Sequence, residues 1–321
     1  MVAVQAPHGL VAQDLVEPQV TVLTVTYNSR DVIAPLLQAL PAALEGVDGI
    51  RVVIVDNNSA DDTVALARRL APWATIVEPG HNGGYSAGIN AGLAGARPVR
   101  AALILNPDTV PDAGMLRRLL DAVTADRDIG IAVPVLRRPD GALHFSLRRE
   151  PTLLRSLGTA VLGGPRASRF ALLGEEIRDV GPYLQGTTAD WATGAAFLIT
   201  RTTMETIGDW DEKFFLYSEE TDYALRARDA GLRLELVPTA GVTHHGGDLA
   251  VSSRLWSLMT VNRMRLYRKR HATIPSVFYW MLLIFQEGLR TLIGRRRSRA
   301  ALRVLLRSGI PTRRHGQRLN V

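Results

Sequence analysis

An open α/β sheet of mostly parallel strands is predicted for residues 19–250, on three observations. Apolar strand patterns alternate with helical ones four times between residues 20 and 125, which is the rhythm of βα units. Three of those strands run into polar residues: Thr26-Tyr27-Asn28, Asp56-Asn57-Asn58 and Asn106-Pro107-Asp108. In open α/β sheets ligands sit beyond the carboxyl ends of the strands, so these groups converge where a ligand belongs. Beyond residue 253 the chain turns arginine-rich and apolar, which predicts a separate basic, amphipathic helical region.

The elements follow in order. "VTVLTVTYN" (20–28) is β-branched and apolar, the pattern of a buried strand. "DVIAPLLQALPAAL" has helical spacing. "RVVIVDNNSADDT" is a second strand ending at Asp56, and "DDTVALARRLA" opens with cap residues and an acidic first turn. "ATIVEP" is a short third strand. The glycine-rich "GHNGGYSAGINAGLAGA" feeds a small-residue helix, "RAALILNPD" is a fourth strand and "AGMLRRLLDAVTA" another helix. From 129 the rhythm changes. "IGIAVPVLRRPDGALHFSLR" reads as a strand and hairpin turning at Asp140-Gly141. Residues 151–190 are rich in Gly, Pro and Arg and poorly periodic, and predict a long loop. "DWATGAAFLITR" returns to a strand. "FFLYSEETDYALRARDAG" reads as a strand end and a helix stopping at Gly231; "LRLELVP" is a further strand, followed by "GVTHHGG".

Composition narrows the function classes. The 321 residues are 46% hydrophobic and 21% charged, ordinary for one or two globular domains. There is no cysteine, which excludes disulfides and thiolate metal sites. The first 18 residues lack a basic start and an apolar run and read as a loose lead-in rather than a signal peptide. The net charge of +7 hides an asymmetry: residues 254–321 carry 16 Lys and Arg against one acid, net +15, and the remainder is net −8.

Several polar groups suit chemistry, each beside a plainer alternative. Asp56 at a strand end can accept an N–H from a uracil-like or thymine-like base, or make an Asx turn or helix cap. A carboxylate such as Asp108 suits Mg²⁺ or Mn²⁺ bound through substrate phosphates; Asn, Pro and Asp are also common turn residues. Glu219, Glu220 and Asp222 crowd three carboxylates into four positions. Mutual repulsion raises their pKa values toward those of a general base, although the helix dipole alone favours acids there. His244 and His245 offer a metal nitrogen or sit on a surface loop. "HNGGYSAGIN" has neither the G-x-G-x-x-G order nor a Gly-Lys-Ser/Thr. Its glycines can present backbone N–H groups to phosphate or permit close helix packing.

Taken in order, "VTYNS", "VVIVDNNSADDT", "NGGYSAGIN", "LNPDT", "TGAAFLITR", "FFLYSEETDYALRARDAG" and "VTHHGG" resemble the inverting glycosyltransferases of family 2, which have the GT-A nucleotide-sugar fold. The resemblance covers roughly residues 20–250, and within the family bacterial rhamnosyltransferases are most similar. It implies a nucleotide-binding half at 19–128, an acceptor half at 129–250 and a tail at 251–321. It implies that Thr26 and Asn28 line the nucleotide site, that Asp56 holds the base with Asn58 nearby, and that Asn82, Gly83 and Asn90 shape the donor pocket. Asp108 matches the last carboxylate of the metal-binding Asp-x-Asp motif, whose first Asp is here Asn106, so the cation sees one charge fewer. Trp191, Gly194 and Glu219 join the substrate-binding set, with Gly194 where the acceptor approaches. Glu220 stands where the family's base Asp is expected, Asp222 is the second candidate, and His244 matches a histidine that completes the metal site.

The function expected from the resemblance is metal-dependent, inverting transfer of a sugar, L-rhamnose from dTDP-rhamnose, to a lipid-linked or cell-envelope glycan acceptor. Mg²⁺ or Mn²⁺ is the expected cofactor. The alternatives are another UDP- or GDP-sugar transferase such as a galactofuranosyltransferase, a nucleotidyltransferase, and a non-catalytic glycan- or membrane-binding protein. No arginine- or lysine-rich triphosphate loop follows the first strand, which counts against the nucleotidyltransferase. "VFYWMLLIF" is far shorter than the roughly 20 residues that span a bilayer. Residues 254–310 therefore predict helices lying on an anionic membrane surface, with packing on the body or a homodimer contact as the alternatives. Aromatics lie inside apolar runs rather than alternating with basic residues, which argues against nucleic acid. The expected location is cytoplasmic, peripheral on the inner face of the cell membrane.

Overall fold

The computed structural model describes residues 3–10, 17–246 and 252–309. The expected boundary at 250/251, Gly247 of the histidine motif, and the tail from residue 310 lie outside the described residues. The first half runs β1 (Val20–Thr26), α1 (Ile33–Ala43), β2 (Ile50–Asp56), α2 (Thr63–Leu70), β3 (Thr75–Val77), α3 (Tyr85–Ala94), β4 (Ala101–Leu105), β5 (Thr109–Pro111), α4 (Met115–Ala125) and β6 (Ile129–Arg137). The second runs β7 (Leu147–Arg148), α5 (Leu153–Leu162), α6 (Gly164–Ala167), α7 (Gly181–Gln185), β8 (Thr187–Ala189), β9 (Trp191–Ala192), β10 (Ala196–Thr200), α8 (Arg201–Ile207), α9 (Glu219–Asp229) and β11 (Arg233–His244). The tail forms α10 (Ser253–Arg270), α11 (Thr273–Leu292) and α12 (Arg296–Arg307).

One sheet spans both halves, in the order β3-β2-β1-β4-β10-β6-β11-β5 with β8 also on β11. β3, β2, β1 and β4 are parallel, and β6 and β11 are parallel to each other. β10 runs antiparallel between β4 and β6. Both faces are buried, as parallel sheets require. Alternate residues of β1 divide between them: Val20 and Val22 face α1 and α4 through Leu36, Leu40, Leu116 and Leu119, whereas Leu23 and Val25 face Ile89 of α3. The register sets Thr26 opposite Asp56, so two polar strand ends finish level.

α3 lies close on the sheet because it carries glycine at two contact points. A Cβ on Gly88 would fall 2.6 Å from Val25 Cγ1, and one on Gly92 would fall 2.2 Å from Leu23 Cδ1. Helix packing thus accounts for part of this glycine-rich stretch.

Four expectations need correction. Residues 151–190 are not a long loop: they contain α5, α6, α7 and β8. The Thr152 side chain caps α5 by accepting from the Arg155 N–H at 3.2 Å, and Leu153 packs into the Tyr267, Tyr279, Leu283 and Leu305 cluster of the tail. That partner is a hundred residues away in sequence, so local periodicity missed the helix. Residues 214–218 form a turn rather than a strand end, with Tyr217 and Ser218 at φ 70° and 73°. α2 has no acid in its first turn and no side-chain bond from its cap residue Asp62; Asp61 instead accepts from the Thr63 N–H at 3.1 Å. Where described, the lead-in is tied down: Val4 N–H donates to Leu70 O at 2.7 Å and Ile50 N–H to Gly9 O at 2.8 Å.

The tail is no appendage. Asn262 of α10 is fully buried and donates to Leu216 O at 2.9 Å and Tyr217 O at 3.2 Å. Lys269 pairs with Asp211 and Asp222, both at 2.8 Å, and Arg270 with Glu150 and Asp229 at 2.9 and 2.8 Å. Rings of Tyr267 and Tyr279 stack at 3.9 Å, joining α10 to α11. Among the described residues no helix is long and apolar enough to cross a membrane.

Candidate active site

The β1 and β2 ends interlock. Asp56 is 3% exposed. It accepts from Thr26 Oγ1 at 2.8 Å and, in its own turn, from Ser59 N–H at 2.8 Å and Ser59 Oγ at 2.6 Å. The turn bonds weighed against a base-binding role are therefore made, and they leave one lone pair of Oδ2 free of these partners. Asn28 and Asn58 take left-handed φ values of 50° and 65°, a conformation asparagine tolerates. Asn28 Oδ1 accepts from Ala60 N–H at 2.8 Å, which pins the two strand-end loops together, and Asn58 is exposed beside them.

Before α3, Asn82 Oδ1 accepts from Gly84 N–H at 3.0 Å. Gly84 sits at φ 93°, and a Cβ there would lie 2.4 Å from Phe215 O. Tyr85 N–H donates to that same carbonyl at 2.7 Å. The glycine-rich loop thereby locks onto the turn that carries the acidic helix. Gly83 lies at the opening of this loop, its α-carbon facing Ala87. Asn90 does not face a pocket with a free amide: it donates to Trp210 O at 3.0 Å and Glu212 Oε1 at 2.9 Å, and accepts from Trp210 N–H at 3.0 Å.

At the end of β4, Asn106 Oδ1 accepts from Tyr85 Oη at 2.7 Å, and Thr109 Oγ1 closes the turn on Asn106 O at 2.6 Å. Asp108 follows. β5 pairs with the end of β11, Thr109 opposite His244, which brings His244 Nε2 to 3.3 Å from Asp108 Oδ1. Burial works to raise the Asp108 carboxyl, but the His244 hydrogen bond and charge outweigh it and hold it below its ordinary value. A buried His244 Nδ1 has no protein partner, and its ring stacks parallel to His144 at 6.1 Å. The backbone at Gly246 crosses so close that a Cβ would collide with Asp108 Oδ2.

The acidic helix start completes the cluster. Two consecutive left-handed residues, Tyr217 and Ser218, swing the chain into α9, so that Glu219 and Glu220 face inward. Glu219 is 6% exposed, and one carboxylate oxygen of each is buried without a partner. Burial, then the charge of Glu220, drives Glu219 well above the usual carboxylate range. Burial raises Glu220 to about 7, partly offset by backbone N–H groups and Arg148. Gly194 lies directly on Glu220, where a Cβ would sit 3.3 Å from the glutamate Cβ. Trp191 pairs in register with Arg148 and donates to Arg149 O at 3.0 Å. Asp222 is 1% exposed and ion-paired with Arg226 at 2.9 Å and Lys269 at 2.8 Å. Tyr85 links the two acidic clusters: burial, and then the charges of Glu219, Glu220 and Asp108, raise its hydroxyl well above 10.

The fold therefore gathers Asn106, Asp108, His244, Gly194, Glu219 and Glu220 around Tyr85, and sets Thr26, Asn28, Asp56 and Asn58 at the neighbouring strand ends. Sequence reasoning missed Tyr85, Asn57 (whose amide donates to Gly84 O at 2.9 Å), His144 and Asn262. Tyr85 and Asn57 stood inside motifs already singled out; Asn262 carried no signal.

Among the described residues no group of three or more His, Asp or Glu gathers as a metal site. Asp108 and His244 nonetheless fit a shared divalent cation: their facing atoms lie 3.3 Å apart, near the ~3 Å between neighbouring ligands of an octahedral ion bound at about 2.1 Å. Such an ion takes its remaining ligands from phosphate oxygens and water.

The profile of Glycosyl transferase family 2 matches residues 21–185. The N-acetylglucosaminyl-diphospho-decaprenol L-rhamnosyltransferase of Mycobacterium tuberculosis is 32% identical over 241 residues, 70% of this chain and 75% of that protein. Rhamnosyltransferase WbbL of Escherichia coli is 25% identical over 279 residues, 81% of this chain and 99% of that one. Among solved structures, the mannosyltransferase PcManGT of Pyrobaculum calidifontis, in complex with GDP-Man and Mn²⁺, superposes with a TM-score of 0.56 at 17% identity over 96% of this chain and 85% of that chain. This last likeness carries the fold.

Proposed function

The chain belongs to glycosyl transferase family 2, and we propose that it transfers L-rhamnose from dTDP-rhamnose to a lipid-linked glycan acceptor, with inversion at the anomeric carbon. The observation that carries the reading is the pairing of two unlike acidic clusters around Tyr85. One, Glu219 and Glu220, is buried and raised; the other, Asp108 with His244, is held ionised. Environments that push carboxyl pKa values apart mark different roles.

Glu220 is the base. With a pKa of about 7 it is poised to accept a proton near neutral pH, and Gly194 leaves open the space beside it. Burial, and then the charge of Glu220, push the Glu219 carboxyl up, which disfavours a second negative charge beside Glu220. As Glu220 takes the acceptor hydroxyl proton, that oxygen bonds to the anomeric carbon. The bond from the carbon to the nucleoside diphosphate breaks, and its electron pair leaves with the diphosphate. A single displacement inverts the centre and needs no enzyme nucleophile. Asp108 and His244 would hold Mg²⁺ or Mn²⁺, which when bound neutralises the departing diphosphate. Tyr85 fixes the Asn106 side chain beside them. Thr26, Asn28, Asp56 and Asn58 receive the nucleoside at the strand ends, with Asn82 and Gly83 at the phosphate side. Trp191 flanks the acceptor. Asp222, already engaged by Arg226 and Lys269, anchors α9 rather than taking a proton. The resemblance to the decaprenol-linked rhamnosyltransferase supports the lipid-linked acceptor and the rhamnosyl donor.

The test is transfer from dTDP-rhamnose, UDP-sugars and GDP-mannose to a polyprenyl-diphospho-N-acetylglucosamine, with the product anomer assigned by NMR. Rhamnose transfer with inversion is expected. Transfer from a UDP- or GDP-sugar alone would replace the donor, and no transfer by folded protein would overturn the reading.

A further inference from the structure

We propose that α5 and α11 together form a docking face for an anionic lipid bilayer, an inference that rests on the lipid-linked acceptor reading above. The two helices lie side by side, and no described residue covers their shared apolar surface. Leu154, Leu157 and Val161 of α5 are 47, 41 and 63% exposed, at helical spacing; Phe278, Met281 and Phe285 of α11 are 52, 43 and 46% exposed, at the same spacing. Between them runs a groove of about 490 Å³ walled by leucine, methionine and phenylalanine. Contiguous exposed apolar surface of this kind marks an interaction site.

Charge selects the occupant. Residues 151–174, which carry α5 and α6, contain Arg155, Arg166 and Arg169 and no acid. From 254 to 309 the only carboxylate is Glu287, which is 2% exposed and engaged by Trp256 Nε1 and Arg290, each at 2.8 Å. Residues 151–174 and 254–309 therefore offer arginine and hydrocarbon and, among themselves, no exposed acid, the combination that binds anionic headgroups over acyl chains. A second copy of the same face would oppose cation to cation. Because no described helix is long and apolar enough to span a bilayer, contact is along the surface. The docked helix also reaches the site: α11 stacks on α10 through Tyr279 and Tyr267, and α10 holds the turn before Glu219 through Asn262.

Sedimentation of the full chain with vesicles of phosphatidylcholine alone, or with added phosphatidylglycerol, tests this at low and high salt. Wild type is expected to bind anionic vesicles, more weakly at high salt. The double variant Phe278→Asp/Phe285→Asp, checked for folding by circular dichroism, is expected to lose at least tenfold in vesicle partition. It should keep wild-type transfer to a water-soluble acceptor with a shortened lipid. Equal binding by wild type and variant, or no binding by wild type, would overturn the proposal, as would a concentration-dependent dimer that the variant abolishes without vesicle binding. Vesicle binding lost in the variant, in a protein that transfers no sugar to any lipid-linked acceptor, would uphold the docking face and dismiss the acceptor reading.

Discussion

Glu220→Gln keeps the side-chain shape and removes the proton-accepting charge. In the fold, burial raises this carboxyl from 4.5 to about 7. At ~1.4 kcal/mol per tenfold change, ionising it in place costs the native state on the order of 3 kcal/mol. A raised carboxyl pKa means that between about 4.5 and 7 the native state holds a proton the unfolded chain has released. Its contribution to stability is full below the unfolded value and is lost as pH rises through about 7. Urea denaturation should therefore find Glu220→Gln level with wild type near pH 4.5 and more stable at pH 8.5, by up to about 3 kcal/mol. Catalysis should move oppositely. Wild-type kcat/KM should rise with pH to a plateau, half-maximal near pH 7, because the base acts ionised and kcat/KM reports the free enzyme. The glutamine variant should lose about 10²- to 10⁴-fold, the usual worth of a general base, with donor binding retained. Near-wild-type transfer with the same pH limb would refute the assignment.

Asp222→Asn should do the reverse: it removes the charge that holds Arg226 and Lys269. Both cations are partly solvated, so the loss falls at the low end for a broken buried pair, about 3 kcal/mol, read by urea denaturation, with transfer reduced less than tenfold. Asn262→Ala leaves two part-buried carbonyls, Leu216 O and Tyr217 O, without their donor. At about 1–3 kcal/mol for each unsatisfied group, a destabilisation of about 2–4 kcal/mol is expected. A fall in kcat larger than any change in donor KM should accompany it, as the left-handed turn ahead of Glu219 relaxes.

The strands of the first half were legible because β-branched, doubly buried runs ending in polar residues have few other readings. The insertion of β10 antiparallel between β4 and β6 was not, since strand order is decided by long-range pairing that local pattern does not encode. α5 was hidden for a related reason: its Leu153 packs against Leu283 and Tyr279 of a helix more than a hundred residues on, while Leu154, Leu157 and Val161 stay exposed. Within the site, motif order picked out the residues that meet, Asp108 with His244 and Gly194 with Glu220. It did not show that Asp56 is bonded within its own turn or that the Asn90 amide is fully engaged. Hydrogen-bond partners of that kind exist only once the loops are placed. Asn262 illustrates the limit: nothing in "LMTVNRMRL" distinguishes a buried clamp on the active-site turn from a solvent-facing helix position.

The most direct test of the central claim is calorimetric binding of dTDP, UDP and GDP to wild type and Asp108→Ala, with Mg²⁺ or Mn²⁺ and with EDTA. The account predicts that one nucleotide, dTDP, binds wild type only with the divalent cation, and that Asp108→Ala abolishes this while remaining folded. Absence of binding to all three, or binding indifferent to both EDTA and the substitution, would contradict it.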